Sequence, residues 1–356
     1  MQENEKKLFW ELCRFKSPSP DDSLLAFATP AVLGHLFFNR MQGIAYGTLM
    51  RSGASTRVNR EFRNSLGASY EQNVQKNVSF RTCVAMLSDI LKTCDCKVAM
   101  LKGAYLCLHY PEGYRISNDV DLLVLPRDVT TIGNLLAGEG FVQGHVRNGS
   151  FIPATRREII ESKMMRGETV PYIKEVNLPF MKYFEVDINF SLDYKNGDGD
   201  VLADMLSRTS IKTEKNVSIP MLEETDFFIH LCAHLYKEAT TLPWIEMRRD
   251  MTLYKYCDIY LLLSEMSDEQ VDRIFLRAQE LGMEKICAYA ILETTGLFDM
   301  AHGLAVQRAR EAIADEPDFC LKVISPQDKK QLIYQTEDVK ERFFMDARVK
   351  NLREVD

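Results

Sequence analysis

The sequence predicts an α+β protein, because its hydrophobic pattern changes period twice along the chain. Apolar residues recur at helical spacing up to about Cys94, strand-like segments begin at Lys97, and helical spacing returns after about residue 220. The expected organisation is a helical region over 1–96, a core with a small mixed sheet over 97–220, and a second helical region over 221–356. A chain of 356 residues exceeds what one core usually organises, so two or three packed parts are expected.

Each element follows from a local signal. The first residues, MQENEKKLFWELCRF, read as a short amphipathic helix and lack the basic-then-apolar order of a signal peptide. Thr29-Pro30 has the form of an N-cap followed by proline at the first helical position, and Val32, Leu33, Leu36, Phe37 and Met41 continue that helix. After a Gly/Ser/Arg break at Arg51–Thr56, a long helix is predicted from about Asn59 to Lys92. Lys97–Leu101 is a first strand, and Ala104–Tyr110 is helix-like. Asp119–Leu125 is a second strand, Pro126 opens a helix to about Ala137, and Phe141–Val146 is a third strand. Tyr183–Leu192 alternates polar and apolar residues, as a half-buried strand does. Helical periods return over Glu223–Lys237, Trp244–Ser264, Asp268–Leu281 and Glu284–Thr295, with Asp268 placed to cap its helix. The last forty residues are charged and weakly periodic, and no element is assigned to them.

Composition narrows the function classes. No run of eighteen apolar residues exists, so no membrane-spanning helix is expected. Nine cysteines, an odd number scattered through apolar contexts, argue for reduced, buried thiols and a cytoplasmic location. Cys94 and Cys96 are the one close pair, without a second pair at zinc-ligand spacing. The formal charge of −7, with no Lys/Arg-rich segment, disfavours a nucleic-acid partner. A small-molecule, peptide or protein partner fits better. Oligomeric state is not readable from the sequence.

Three pieces of the central block carry chemistry. The first is the turn Lys102-Gly103-Ala104, where glycine permits close backbone approach and the helix-opening amides favour phosphate. The second is Asn118-Asp119-Val120-Asp121: residues i and i+2 of a strand face one side, so the two carboxylates lie together with Val120 opposite. Such neighbours repel unless a cation lies between them, and Mg²⁺, which takes oxygen ligands and shares them with phosphates, is the expected ion. The third is Asp187, on a separate strand, which completes an acidic cluster.

In this order the residues resemble the nucleotidyltransferase fold of the DNA polymerase β type: a hydrophobic strand, a glycine turn, a helix, Asp-x-Asp and a later third Asp. The pattern is similar to that of a bacterial group labelled uncharacterised nucleotidyltransferases, through Leu101-Lys-Gly103, Tyr110-Pro111, Arg115 and Asp119-Val-Asp-Leu-Leu-Val124. The close match covers about 99–125, and a looser one covers Val186–Asn189 and the helix with His230 and His234. Two departures stand out. Ala104 replaces the superfamily's second small residue without a hydroxyl, and the run from Gly103 to Asp119 is slightly longer than usual.

The resemblance implies a Mg²⁺-dependent (or Mn²⁺-dependent) enzyme that transfers a nucleotide from an NTP donor to an unidentified acceptor. Asp119, Asp121 and Asp187 would hold the metal, with Asp187 also the general base. Lys102, Gly103, Ala104, Arg115 and Asn118 would contact the nucleotide, Lys102 and Arg115 by neutralising charge on the triphosphate.

Other features read more simply. His230 and His234 share a helix face, but the Glu of a zinc-protease helix is absent, so core or interface histidines are expected, with nucleotide or acceptor contact the alternative. Lys237, Arg248, Arg249 and Lys255 read as a solvated face, and Trp244 and Tyr254–Tyr260 as core. Two other functions compete. A metal-dependent glycosyltransferase also uses Asp-x-Asp, but it needs a larger nucleotide-binding sheet before the motif and leaves Asp187 unexplained. A degenerate nucleotidyltransferase could serve as a binding or regulatory module, against which stands the presence of all three acids.

Overall fold

Six strands organise the middle of the chain: β1 (Val98–Met100), β2 (Asp119–Val124), β3 (Val142–Arg147), β4 (Ser150–Pro153), β5 (Tyr172–Leu178) and β6 (Met181–Asn189). They form one mixed sheet in the order β1-β2-β6-β5-β3-β4. Within it β2 and β6 run parallel, and every other neighbouring pair is antiparallel. A parallel pair needs a long connection, which the chain supplies by building β3 to β5 between its two members.

In this computed structural model, residues 1–16, 19–165, 167–192, 199–327 and 329–355 are described. They form two compact units: a sheet unit of Gln42–Gly47 and Asn59–Phe227, and a terminal unit of Met1–Met41, Thr48–Val58 and Phe228–Asp356.

In the sheet unit the centre of the core face, on β2 and β6, is apolar. Val120, Leu122, Phe184, Val186 and Ile188 are all inaccessible to solvent. Helix Arg60–Leu91, capped by Asn59 Oδ1 accepting from Phe62 N at 2.8 Å, contributes Phe80, Val84 and Leu87 to the core. A separate hairpin, β7 (Ser210–Glu214) with β8 (Val217–Met221), turns at Lys215-Asn216. Both residues hold positive φ (46° and 64°), which a two-residue type I′ turn requires.

The terminal unit is helical around an aromatic cluster. Trp10 meets Phe343 at 4.9 Å between ring centroids, and Tyr260 stacks on Phe298 at 4.5 Å. The described residues of the last forty include β9 (Lys322–Ser325), β10 (Lys330–Tyr334), helix Val339–Phe344 and β11 (Leu352–Glu354), the strands pairing as β11-β10-β9. They also bury two arginines. Arg342 pairs with Glu293, and Arg348 grips Asp250 through both carboxylate oxygens at 2.6 and 2.7 Å.

Several expected boundaries shift for local reasons. Thr29 caps helix Pro30–Phe38 as expected, but the chain then breaks at Arg40 (φ 58°) before helix Gln42–Arg51. Pro126–Asp128 is a 3₁₀ turn leading into helix Val129–Gly138. The single helix expected over Trp244–Ser264 is two, Leu242–Glu246 and Leu253–Glu265, separated where Arg248 takes φ 58°. Ser267 rather than Asp268 caps helix Asp268–Glu280, because its hydroxyl faces Gln270 N while the Gln270 side chain returns the bond. Among the described residues no helix is long and apolar enough to cross a membrane. All nine cysteines carry free thiols, six of them buried.

Candidate active site

The turn between β1 and helix Gly103–His109 is closed by Ala104 N donating to Leu101 O at 3.2 Å. Lys102 holds φ 45° and ψ −113°, the first central position of a type II′ turn, where glycine is the favoured residue. A side chain there costs about 1–3 kcal/mol of backbone strain. Leu101 N donates to Asp121 O at 2.9 Å, which ties the turn to β2. Gly103 is needed for space: a Cβ on it would lie 2.8 Å from Ser117 Oγ. That hydroxyl donates to Asp119 Oδ1 at 2.7 Å, so the glycine admits the loop that meets the first aspartate. The helix is two turns long, so its dipole is small and the Lys102 ammonium is the stronger cationic element.

The acids sit on the parallel pair. In its register Asp119 lies opposite Glu185, Asp121 opposite Asp187, and Leu123 opposite Asn189. Neighbours across strands point to one face, so Asp119, Asp121, Glu185, Asp187 and Asn189 share the side opposite Val120, Val186 and Ile188. Lys102 Nζ stands 3.3 Å from Asp121 Oδ1, and Asn189 Nδ2 donates to the same oxygen at 3.3 Å. Glu168 joins through a bridge between its backbone and that of Asn189.

The electrostatics record this crowding. Burial pushes the Asp187 carboxyl well above the usual range, the charges of Asp121, Asp119 and Glu168 push it further, and Lys102 opposes them. Glu185 is raised too, first by burial and then by Asp119.

The structure thus brings Lys102, Asp119, Asp121 and Asp187 onto one face. Ala104 is fully buried in the turn. Asn118 is exposed just before β2, and its carbonyl accepts from Glu185 N at 3.4 Å. Arg115, 9% exposed, donates to the carbonyl of Ile116 within its own loop. His230 and His234 belong to the terminal unit. His230 is 4% exposed, and His234 Nε2 lies 3.5 Å from Glu238 Oε1, a carboxylate that Lys255 also pairs with. Tyr256 and Tyr260 are core residues, while Lys255 stands over the Trp244 ring at 5.6 Å. Sequence reasoning passes over Glu185 and Asn189, which the period of two around Asp187 signals, and over Glu168 and Ser117, which no local pattern signals.

Among the described residues no three His, Cys, Asp or Glu side chains converge closely enough to hold an ion as they stand. The donor set nonetheless suits Mg²⁺: it is all oxygen, it comes from adjoining strands, and its mutual repulsion raises Asp187 in a way a dication would relieve.

No curated protein matches the chain. One solved structure that is similar is an antigenic nucleotidyltransferase-like protein from Paracoccidioides brasiliensis, at 13% identity and a TM-score of 0.34, covering 57% of this chain and 90% of that one. The sequence profile of the family described as uncharacterised nucleotidyltransferase matches residues 13–299. The mixed α+β chain with its six-stranded sheet therefore belongs to that nucleotidyltransferase family.

Proposed function

We propose that the protein is a Mg²⁺-dependent nucleotidyltransferase that moves an NMP from an NTP onto an acceptor hydroxyl and releases pyrophosphate. The observation that carries this reading is the Asp121–Asp187 rung on parallel strands, with Asp119 two residues before Asp121 on the same face and Lys102 on Asp121. Asp119, Asp121 and Asp187 are the residues that would hold Mg²⁺ or Mn²⁺. The metal, when bound, supplies Lewis-acid stabilisation of the triphosphate and lowers the pKa of the acceptor hydroxyl.

The chain's own groups do the rest. Asp187 takes the proton of the acceptor hydroxyl as its oxygen bonds to the α-phosphorus. The bond from the α-phosphorus to the bridging oxygen breaks in line, and pyrophosphate leaves with that electron pair. Lys102 offsets charge on the departing oxygens, with Arg115 as the second cation of the turn-and-loop region. The net negative chain favours a small-molecule, peptide or protein acceptor over nucleic acid.

A second reading has one observation behind it. The Lys102–Asp121 pair already neutralises one acid, as a metal-free nucleotide-binding or regulatory module would arrange it. Calorimetric titration with ATP, CTP, GTP and UTP, each with and without Mg²⁺, separates the two. The enzyme reading expects one nucleotide to bind only with metal and Asp121→Asn to abolish that binding. Metal-independent binding favours the module, and no binding by any nucleotide sinks both.

A further inference from the structure

Helix Arg60–Leu91 carries Asn73, Asn77 and Arg81 at intervals of four, so one helix face presents all three. That face fastens the loop between helix Gly103–His109 and β2. Asn77 makes two bonds to the loop backbone: Oδ1 accepts from Gly113 N at 2.7 Å, and Nδ2 donates to Arg115 O at 2.7 Å. One turn earlier, Asn73 Nδ2 donates to Gly113 O at 3.1 Å. One turn later, Arg81 pairs with Glu112 at 2.6 Å. Lys215, in the β7–β8 turn, meets Glu112 at 3.3 Å and Tyr110 O at 2.8 Å.

Asn73 and Asn77 are 6% and 4% exposed, so these amides are not solvated helix surface. The loop has no strand partner at Gly113 and Arg115, and buried backbone groups must be paired. The Asn77 amide supplies an acceptor and a donor two residues apart, as a neighbouring strand would. Gly113, at φ 80°, must stay glycine for the fit, since a Cβ on it would lie 2.6 Å from the Tyr70 ring. Two residues beyond Arg115, the same loop sets Ser117 Oγ on Asp119 Oδ1.

We propose that Asn77 is a positioning residue for the nucleotidyltransferase site: by holding the backbone of Gly113 and Arg115, it sets where the loop presents Ser117 to Asp119 at the edge of the acidic face of β2 and β6. The inference rests on the function proposed above. It assigns to a mid-helix asparagine a role in nucleotide affinity that stability alone would not require.

The test compares Asn77→Asp, Asn77→Ser and Asn77→Ala with wild type, and with Gln75→Ala, an exposed position on the same helix. Asn77→Asp keeps the shape but turns the donor facing Arg115 O into an acceptor. Each protein is titrated with MgATP, MgCTP, MgGTP and MgUTP well below its melting temperature, and amide exchange is followed over 112–119 and over β2 and β6. The expected result is at least a tenfold rise in Kd for the nucleotide that wild type binds, with faster exchange over 113–117 and protection retained in both strands. Gln75→Ala should match wild type. Folded Asn77 variants that bind with the wild-type Kd overturn the proposal, whatever their melting temperatures. If Asn77→Ala does not fold, Asn77→Asp and Asn77→Ser decide. A wild type that binds no nucleotide removes the parent reading and this inference with it, an outcome distinct from normal binding by the variants.

Discussion

Asp121 and Asp187 are direct cross-strand neighbours on the parallel pair of the sheet, and the carboxyl of Asp187 is raised partly because Asp121 is there. Like charges placed opposite one another in a sheet destabilise it, by up to about 1 kcal/mol per pair. The fold keeps this unfavourable pair on the face that also carries Asp119, Glu185 and Asn189, and a strongly perturbed, charge-crowded carboxyl of this kind is what the function proposed above builds on.

Asp121→Asn and Asp187→Asn should therefore lose metal-dependent nucleotide binding and turnover, and Asp187→Asn, which breaks no pair with Lys102, should also gain stability. The expected gain is up to about 1 kcal/mol in a denaturant titration without divalent ions. A loss of stability in Asp187→Asn would show that this acid serves the fold rather than a ligand.

Lys102 combines a charge with a backbone conformation that suits glycine. Lys102→Ala removes the ammonium and keeps the strain, whereas Lys102→Gly removes both. Both variants should bind Mg-nucleotide more weakly, and the glycine variant should be the more stable of the two by about 1 kcal/mol. Equal urea midpoints would contradict the strained turn.

Gly103→Ala should cost about 1–3 kcal/mol, because the added methyl lies too close to Ser117 Oγ and Ser117 Cβ, at 2.8 and 3.0 Å. Ser117→Gly in the same chain should recover most of that loss. Failure of the second substitution to restore the unfolding midpoint would place the cost elsewhere.

Arg348 and Asp250 form a buried, two-pronged pair, so removing either partner strands a charge. Arg348→Ala or Asp250→Ala should each destabilise the terminal unit by about 3–5 kcal/mol. The double variant should cost less than the two singles added together, and a double-mutant cycle measures the difference.

Glu5 gives the terminal unit an acid-sensitive contact. Its carboxylate accepts from Thr29 Oγ1 and from Gln2 N, both at 2.7 Å, and these bonds, Thr29's the larger, hold its pKa below the ordinary value. A depressed folded-state pKa contributes stability above the unfolded value of about 4.3, and that contribution disappears as pH falls through the lower folded value. Glu5→Gln should flatten that part of the stability curve between about pH 5 and pH 3, as read from urea midpoints. An unchanged slope would remove Glu5 from acid unfolding.

The site was legible where a short period carries it. At the start of β2 and along β6 polar and apolar residues alternate, so Asp119 and Asp121 could be assigned to one face and Asp187 to a separate strand beside it, and the same period extends to Glu185 and Asn189. Glu168 and Ser117 arrive by a backbone bridge and a loop, contacts between distant residues that no local pattern encodes. Asn77 reads in the sequence as an ordinary polar helix position, because burial under a loop leaves no mark on the helix that carries it. The C-terminal strands escaped for a different reason. They are three to five residues long, and Arg342 and Arg348 place charge where a core pattern would show apolar residues.

The make-up of the terminal unit has a consequence for biosynthesis. Residues 1–41 contribute Phe9 and Trp10 to an aromatic cluster whose other members, Phe298, Phe343 and Phe344, come near the far end of the chain. During synthesis on the ribosome those first helices emerge long before their partners exist, whereas nearly all of the sheet unit emerges as one stretch from Asn59 to Phe227. The sheet unit can thus assemble co-translationally, while the N-terminal helices keep apolar side chains exposed until the last helix follows. That interval is when chaperone binding to the nascent chain would matter most, and a premature stop before Phe343 would leave the first helices without their packing partners.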